Sequence, residues 1–255
     1  MNIPKAIFFD LDGTMLSQGK LPERAKMALK YAKDKGVLLF LATGRHKSAF
    51  EEMPWMPDVA FDGFVTLNGA YCYVGEKVLH KSAINSDAVS MVADYVIKNP
   101  QLCLFCEEDD QYAIASDEKI EAAMEAFGMK KPQLCSPLRA IDAAVFQIIT
   151  FGKELSGVFR QLPGCTFTSW AEGCYDLVAA DVNKWAGILP VLDHFGLKPW
   201  DVAAIGDGHN DIEMLTNAGY SIAMGNAPDD VKACADYVTG HVDEDGLWGA
   251  IRRLV

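Results

Sequence analysis

Two aspartates two positions apart, Asp10 and Asp12, close an apolar run, Ala6–Phe9. In an extended segment residues i and i+2 point the same way. Two carboxylates therefore face one place, and Gly13 behind them permits a tight turn. Three other apolar runs end in polar residues. Val37–Ala42 meets Thr43-Gly44-Arg45, Phe64–Leu67 meets Asn68-Gly69, and Val202–Ile205 meets Gly206-Asp207-Gly208-His209-Asn210-Asp211. Paired carboxylates joined by Asp207 form a hard, oxygen-only donor set of the kind magnesium takes. One aspartate at a strand end is ordinarily a turn former or a helix cap. The same pattern at four strand ends argues instead for a site.

The elements between these runs say how they meet. Pro22–Lys35 reads as a helix with Ala25, Ala28, Leu29 and Ala32 on one face, Pro22 in its first turn and Gly36 as its stop. Unalternating apolar strands separated by helices imply an α/β core whose parallel sheet is covered on both faces. Carboxyl ends of parallel strands share one edge, and open α/β sheets bind their ligands there. The rhythm resumes with a helix at Trp185–Phe195, which Pro190 should kink or shorten. Val202–Ile205, a helix over about 211–218, and strands at Tyr220–Met224 and Tyr237–Thr239 follow.

Residues 83–182 read differently. Helices near Ser86–Lys98 and Glu118–Phe127 alternate with strands at Leu102–Cys106, Tyr112–Ala115, Ala144–Thr150 and Tyr175–Val178. The spacing around Glu107–Gln111 predicts an antiparallel hairpin. The expected organisation is a core of residues 1–82 and 183–255 carrying an inserted α+β domain, 83–182. A 255-residue chain, half of it apolar, buries a sizeable core without disulfide or metal staples.

Charge and cysteines limit the partners. A net charge of −12 without a basic stripe disfavours nucleic acid and acidic membrane surfaces. A small anion remains possible where a cation reverses the local field. Seven scattered cysteines and an opening that meets Asp10 before any hydrophobic region point to a reducing, cytoplasmic setting. Cys103 and Cys106 share C-x-x-C spacing but lack a second pair, so they read as buried strand. The expected state is a monomer or a small homo-oligomer.

At this point the sequence resembles the haloacid dehalogenase-like phosphatases. Asp10-Leu11-Asp12-Gly13-Thr14 resembles their first motif, Ala42-Thr43-Gly44-Arg45 the second, Lys184 the third and Gly206–Asp211 the fourth. Asn68-Gly69-Ala70, Met224-Gly225-Asn226-Ala227 and Asp243-Glu244-Asp245-Gly246-Leu247 are similar to the Cof-type sugar-phosphate phosphatase subgroup. The likeness spans essentially the whole chain. It implies a Rossmann-like core with an inserted cap, the cap contributing substrate selectivity. It also implies a phosphoric monoester hydrolase acting on small phosphorylated metabolites such as hexose phosphates. Asp10 would be the nucleophile, forming an aspartyl-phosphate, and Asp12 the acid and base. Asp10, the main-chain carbonyl of Asp12, and Asp207 would hold Mg2+, with Asp211 supporting the metal or orienting Lys184. Thr43, Gly44, Arg45, Lys184 and Asn210 would hold phosphate. Trp185 stands where the family usually has glycine.

Two other classes share parts of the pattern. Receiver-type phospho-acceptor modules also gather aspartates and magnesium on a parallel sheet, but have no use for Asp12 or for an insert of about 100 residues, which is long for a loop. An idle sugar-phosphate binder would not need both Asp10 and Asp12. His46 and His209 read as surface or supporting residues, Phe8-Phe9 as core, and Glu107–Asp110 as a solvated turn.

Overall fold

The computed structural model describes residues 3–50, 53–56, 59–99, 103–115, 118, 121, 131–151, 157 and 161–255. In chain order its elements are β1 (Ala6–Phe9), α1 (Glu23–Asp34), β2 (Leu38–Ala42), β3 (Gly63–Thr66), β4 (Tyr71–Val74), β5 (Lys77–Lys81), α2 (Ser86–Lys98), β6 (Cys103–Cys106), β7 (Gln111–Ala113), β8 (Gln133–Leu134), α3 (Pro137–Asp142), β9 (Gln147–Phe151), β10 (Cys165–Ala171) and β11 (Cys174–Ala179). Then come α4 (Lys184–Phe195), β12 (Val202–Gly206), α5 (Ile212–Asn217), β13 (Tyr220–Ala223), α6 (Asp229–Lys232), β14 (Tyr237–Val238) and α7 (Gly246–Leu254).

The chain divides into two compact units. One comprises Met1–Gly44, Glu51–His80 and Asn183–Val255, the other Arg45–Phe50 and Lys81–Val182. The first is built on an eight-stranded sheet ordered β14-β13-β12-β1-β2-β3-β4-β5. It is parallel from β14 through β3. Strand β1 lies between β12 and β2, and all four of its residues are wholly buried. That explains its lack of alternation: helices cover both faces. On α1 the buried residues are Ala25, Ala28, Leu29 and Ala32, the face expected from spacing. Phe8 stacks on Phe40 at 4.8 Å inside this core.

Helix α4 runs unbroken through Pro190, contrary to the expected kink. Its buried Gly187, Ile188, Val191 and Leu192 lock it to the sheet, so packing outweighs the missing N–H at one partly buried position. Strands β4 and β5 extend the sheet beyond the expected set. β4 pairs antiparallel with β3, and Gly75, at φ +56°, turns the chain into β5.

The second unit carries a six-stranded sheet, β10-β11-β9-β6-β7-β8, antiparallel except for β7 with β8. Its core gathers Val89, Val92 and Val96 of α2 with Phe105, Tyr112, Ile148 and Leu177. Cys103 and Cys106 are wholly buried in β6, and burial pushes both thiols far above the usual range. The expected hairpin is β6–β7. Its acidic turn is not simply solvated. Arg139 donates to both oxygens of Glu107 at 2.9 Å and lies 2.9 Å from Asp110. Lys81 meets Glu108 at 3.3 Å and Lys47 meets Asp109 at 2.5 Å. These partners lie 27 to 62 positions away, out of reach of a local pattern. His46 is buried in this unit rather than on its surface; its Nδ1 lies 2.8 Å from Ser48 Oγ and accepts from Ser48 N at the start of a short turn. Burial lowers its pKa. The helix expected at Glu118–Phe127 lies almost wholly outside the described residues.

Candidate active site

Strand β1 delivers Asp10 at its carboxyl end, where the Asp10 amide donates to Ile205 O of β12 at 2.9 Å. The same pairing brings the end of β12, and Asp207 with it, alongside. Thr43 follows β2 and is buried; its amide donates to Val65 O and its carbonyl accepts from Asn68 N. Leu67 and Asn68 both hold positive φ, 52° and 56°. Side-chain-bearing residues rarely adopt this conformation outside constrained sites. It aims Asn68 Oδ1 at Asn210 Nδ2, 2.9 Å away.

Lys184, the first residue of α4, is wholly buried. Asn183 caps that helix, accepting from Ala186 N at 2.8 Å. The Lys184 ammonium lies 2.5 Å from Asp10 Oδ1 and 2.5 Å from Asp211 Oδ1. Asp211 spends its other oxygen on the amides of Asp207 and Gly208, at 2.9 and 2.8 Å. Both of its oxygens are thus committed to protein donors. Asp10 Oδ2 makes no hydrogen bond among the described residues.

Asp10, Asp207 and Asp211 each offer an oxygen within 4.8 Å of the others. The carboxylate of Asp12 is not in this group, and Asp12 is exposed. Gly13, at φ +84°, lies against Asp207: a Cβ there would sit 2.2 Å from Asp207 Oδ2. Both the backbone and the space demand glycine. Thr14, wholly buried, donates to Asp207 Oδ1 at 2.8 Å, and Asn226 donates to Asp207 Oδ2 at 3.0 Å. Sequence reasoning gives neither residue a role. Asn226 follows β13 and could have been found by the same strand-end rule that finds Asp207.

Charge balance tests the fit of a divalent cation. Burial pushes the Asp10 carboxyl well above the usual carboxylate range; Lys184 pulls it back, and Asp211 and Asp207 push it up again. Asp207 is pushed up to about 6, first by burial and then by Asp211. Burial opposes the Lys184 ammonium, yet Asp10 and Asp211 outweigh that and hold its pKa above the usual lysine value. Lysine therefore keeps its proton, and the raised Asp10 and Asp207 carboxyls show that one ammonium supplies too little positive charge for the three acidic groups around it. A small 2+ ion with a preference for oxygen fits both the charge and the donor set.

Of the other expected residues, Gly44 ends the stretch of the first unit that carries Thr43, and Arg45 belongs to the second unit. His209 is exposed and lies 3.0 Å from Asp230, consistent with a surface role.

The haloacid dehalogenase-like hydrolase family matches residues 7–251 of this chain. The chain belongs to that family. The structure of the HAD subclass IIB sugar phosphatase BT4131 is 35% identical, with a TM-score of 0.89, covering 98% of this chain and 100% of that one. A chain solved in work on a trigonal-bipyramidal intermediate in a phosphoryl-transfer superfamily is also 35% identical, with a TM-score of 0.92, covering 99% of this chain and 100% of that one. The 5-amino-6-(5-phospho-D-ribitylamino)uracil phosphatase YcsE of Bacillus subtilis is 28% identical over 257 residues, which span 98% of this chain and 96% of that protein. The fold is accordingly the family's α/β one, a Rossmann-like core with a cap. Among the described residues no helix is long and apolar enough to cross a membrane.

Proposed function

We propose that this hydrolase is a cytoplasmic, magnesium-dependent phosphatase of small phosphorylated metabolites, sugar phosphates foremost, working through an aspartyl-phosphate on Asp10. The observation that carries this reading is the Lys184 ammonium held at 2.5 Å from both Asp10 and Asp211, with Asp207 completing an all-oxygen group. A buried carboxylate is a poor anion unless cations sustain it. Lys184 favours the charged form of Asp10 against the pull of burial and bonds only Oδ1, leaving Oδ2 for attack. The sugar-phosphatase and phosphoribityl-phosphatase relatives support the substrate class. The seven free cysteines support the compartment.

Asp10 and Asp207, with the main-chain carbonyl of Asp12, would hold the metal. When bound, Mg2+ offsets the repulsion between carboxylate and phosphate and stabilises charge on the transferring group. Asp211 is assigned to Lys184 and to the loop amides rather than to direct ligation, because it is wholly buried and takes three protein hydrogen bonds, against two on the more accessible Asp207. Asp10 Oδ2 forms a bond to phosphorus as the ester P–O bond breaks, and Asp12 gives its proton to the departing alcohol oxygen. Asp12 then removes a proton from the water that attacks phosphorus, which releases phosphate and restores Asp10. Thr43, the Gly44 amide, Lys184 and Asn210 position the phosphate oxygens, and Arg45 adds a further cation for them. The second unit, 83–182 in its expected bounds, is assigned to substrate selection.

The decisive experiment is a turnover screen over phosphate esters with Mg2+ and with EDTA. Hydrolysis of sugar phosphates only with the metal is expected; full activity in EDTA would sink the reading. Metal affinity should also fall as the pH drops through about 6, because Asp207 must then shed a proton to bind. Slow self-phosphorylation without turnover would favour a phospho-acceptor module instead.

Asp12→Asn should cost about 10²–10⁴-fold in kcat on sugar phosphates, whose alcohols need a proton to leave. An aryl phosphate, with a better leaving group, should lose much less. Equal losses on the two substrates would assign Asp12 to a structural or metal role.

A further inference from the structure

We infer that Asn226 is a positioning residue that presets Asp207 for the metal, and that the 240–246 segment is the backing that holds Asn226 in place. The inference rests on the magnesium reading above and extends it to a residue with no assigned role. The two segments involved, Met224–Ala227 and Asp243–Leu247, stand out in the sequence, yet none of their residues enters the mechanism.

The side-chain amide of Asn226 joins three separate stretches of chain. Nδ2 donates to Asp207 Oδ2 at 3.0 Å and to Gly13 O at 2.9 Å, while Oδ1 accepts from Val242 N at 3.0 Å. Two acceptors on the nitrogen side and one donor on the oxygen side allow only one orientation of the amide. Thr14 takes the other oxygen of Asp207. Each Asp207 oxygen thus has a donor from outside its own loop, and the carboxylate has little rotational freedom.

The placement of Asn226 is itself fixed by backbone. Met224 N donates to Gly206 O, Gly225 N to Gly240 O and Thr239 N to Ala223 O. Thr239 Oγ1 donates to Gly246 O at 2.8 Å. Gly225 packs so closely that a Cβ would come 2.7 Å from the carbonyl carbon of Gly240. Ser17 Oγ donates to Asp243, fastening the same segment to the chain after the Asp10 turn.

Electrostatics gives this bracing a purpose. Asp207 faces Asp10 and Asp211 within 4.8 Å and is the least buried of the three. Like charges at that range push the most accessible carboxylate outward. Without a brace, metal binding would have to draw it back and order it. Asn226 removes that cost before the metal arrives, and it also ties Asp207 to the Gly13 turn behind the nucleophile. Partners that orient a metal carboxylate are typically worth about 10–100-fold in metal affinity.

The test is calorimetric titration of the full chain with Mg2+ alone, without substrate, followed by steady-state kinetics across Mg2+ concentrations. Asn226→Ala should weaken Mg2+ binding about 10–100-fold. At saturating Mg2+ its kcat and its substrate KM should return to within a few-fold of wild type. Asn226→Gln, which keeps the amide on a longer stem, should recover part of the lost affinity, and it carries the measurement if the alanine variant does not fold. Unchanged Mg2+ affinity in a folded alanine variant overturns the inference. So does a loss of kcat that saturating Mg2+ does not repair, or failure of both variants to fold, since either assigns the amide to structure alone. If the wild-type chain itself takes up no Mg2+, the magnesium reading falls and this inference with it; that result is read before any variant is made.

Discussion

Replacing Asp10 by asparagine is expected to abolish phosphate-ester turnover while the chain stays folded. The variant keeps the shape of the side chain and loses the carboxylate oxygen, Oδ2, that accepts no hydrogen bond among the described residues. No neighbour can stand in. Asp211 spends both oxygens on Lys184 and on two backbone amides, and Asp207 is held by Thr14 and Asn226. The sign of the stability change follows from the raised Asp10 pKa. A carboxyl raised in the fold costs stability once the pH passes its unfolded value near 4, and that cost grows as the pH rises toward the folded value. Neutral asparagine carries no such cost, so the metal-free variant should melt no lower than wild type at pH 7. Lys184 retains Asp211 as its partner. Mg2+ should raise the melting temperature of the variant less than that of wild type, because a ligand carboxylate has been lost. Turnover assays, thermal melts with and without Mg2+, and mass spectrometry to exclude reversion of the amide to Asp10 check each part. Turnover near the wild-type level in unreverted protein would refute the covalent assignment.

The site was legible in the sequence because its residues sit where strands stop. Ala6–Phe9 and Val202–Gly206 are buried on both faces, so they read as unbroken apolar runs whose ends could be located to within a residue. Parallel pairing then required their polar ends to meet. What the sequence did not show depends on distant pairing. The contacts of Glu107–Asp110 with Arg139, Lys81 and Lys47 leave no local signal. Strand β10 is an edge strand with half-exposed threonines and an exposed serine beside its aromatics, and a bulge interrupts its register, so neither strict alternation nor a continuous apolar run marks it. Strand β8 is two exposed residues long and exists only because β7 pairs with it. Pro190 misleads because a local rule was read without the packing that overrides it. Asn226 shows a third kind of gap: its strand-end position was visible, but not the convergence of Gly13, Asp207 and Val242 on one amide.

Lys184→Met should be the most destabilising single change in the site as well as one of the most damaging to turnover. Methionine matches the length of lysine and supplies no charge. Asp10, Asp207 and Asp211 would then crowd within 4.8 Å with no cation among them, in a place where the lysine side chain is wholly buried. Removing one partner of a buried ion pair costs about 3–5 kcal/mol, because the remaining charges stay desolvated. In a chain of this size that corresponds to a fall in melting temperature on the order of 10 °C. The loss should be largest above pH 6, where Asp207 is ionised, and should shrink as the pH falls and the carboxylates take up protons. Arginine is no remedy: its guanidinium is larger than the space that holds an ammonium 2.5 Å from two carboxylates. Mg2+ should restore part of the stability of the methionine variant, since it supplies positive charge to the same group. It should not restore turnover, because the proposed hold of Lys184 on the phosphate is gone and Asp211 has lost the group it orients. Melts over pH with and without Mg2+, set beside kcat at saturating metal, separate the two effects. A methionine variant that melts and turns over like wild type would show that the three carboxylates are not charged together in the folded chain, and the case for a divalent cation there would lose its physical basis.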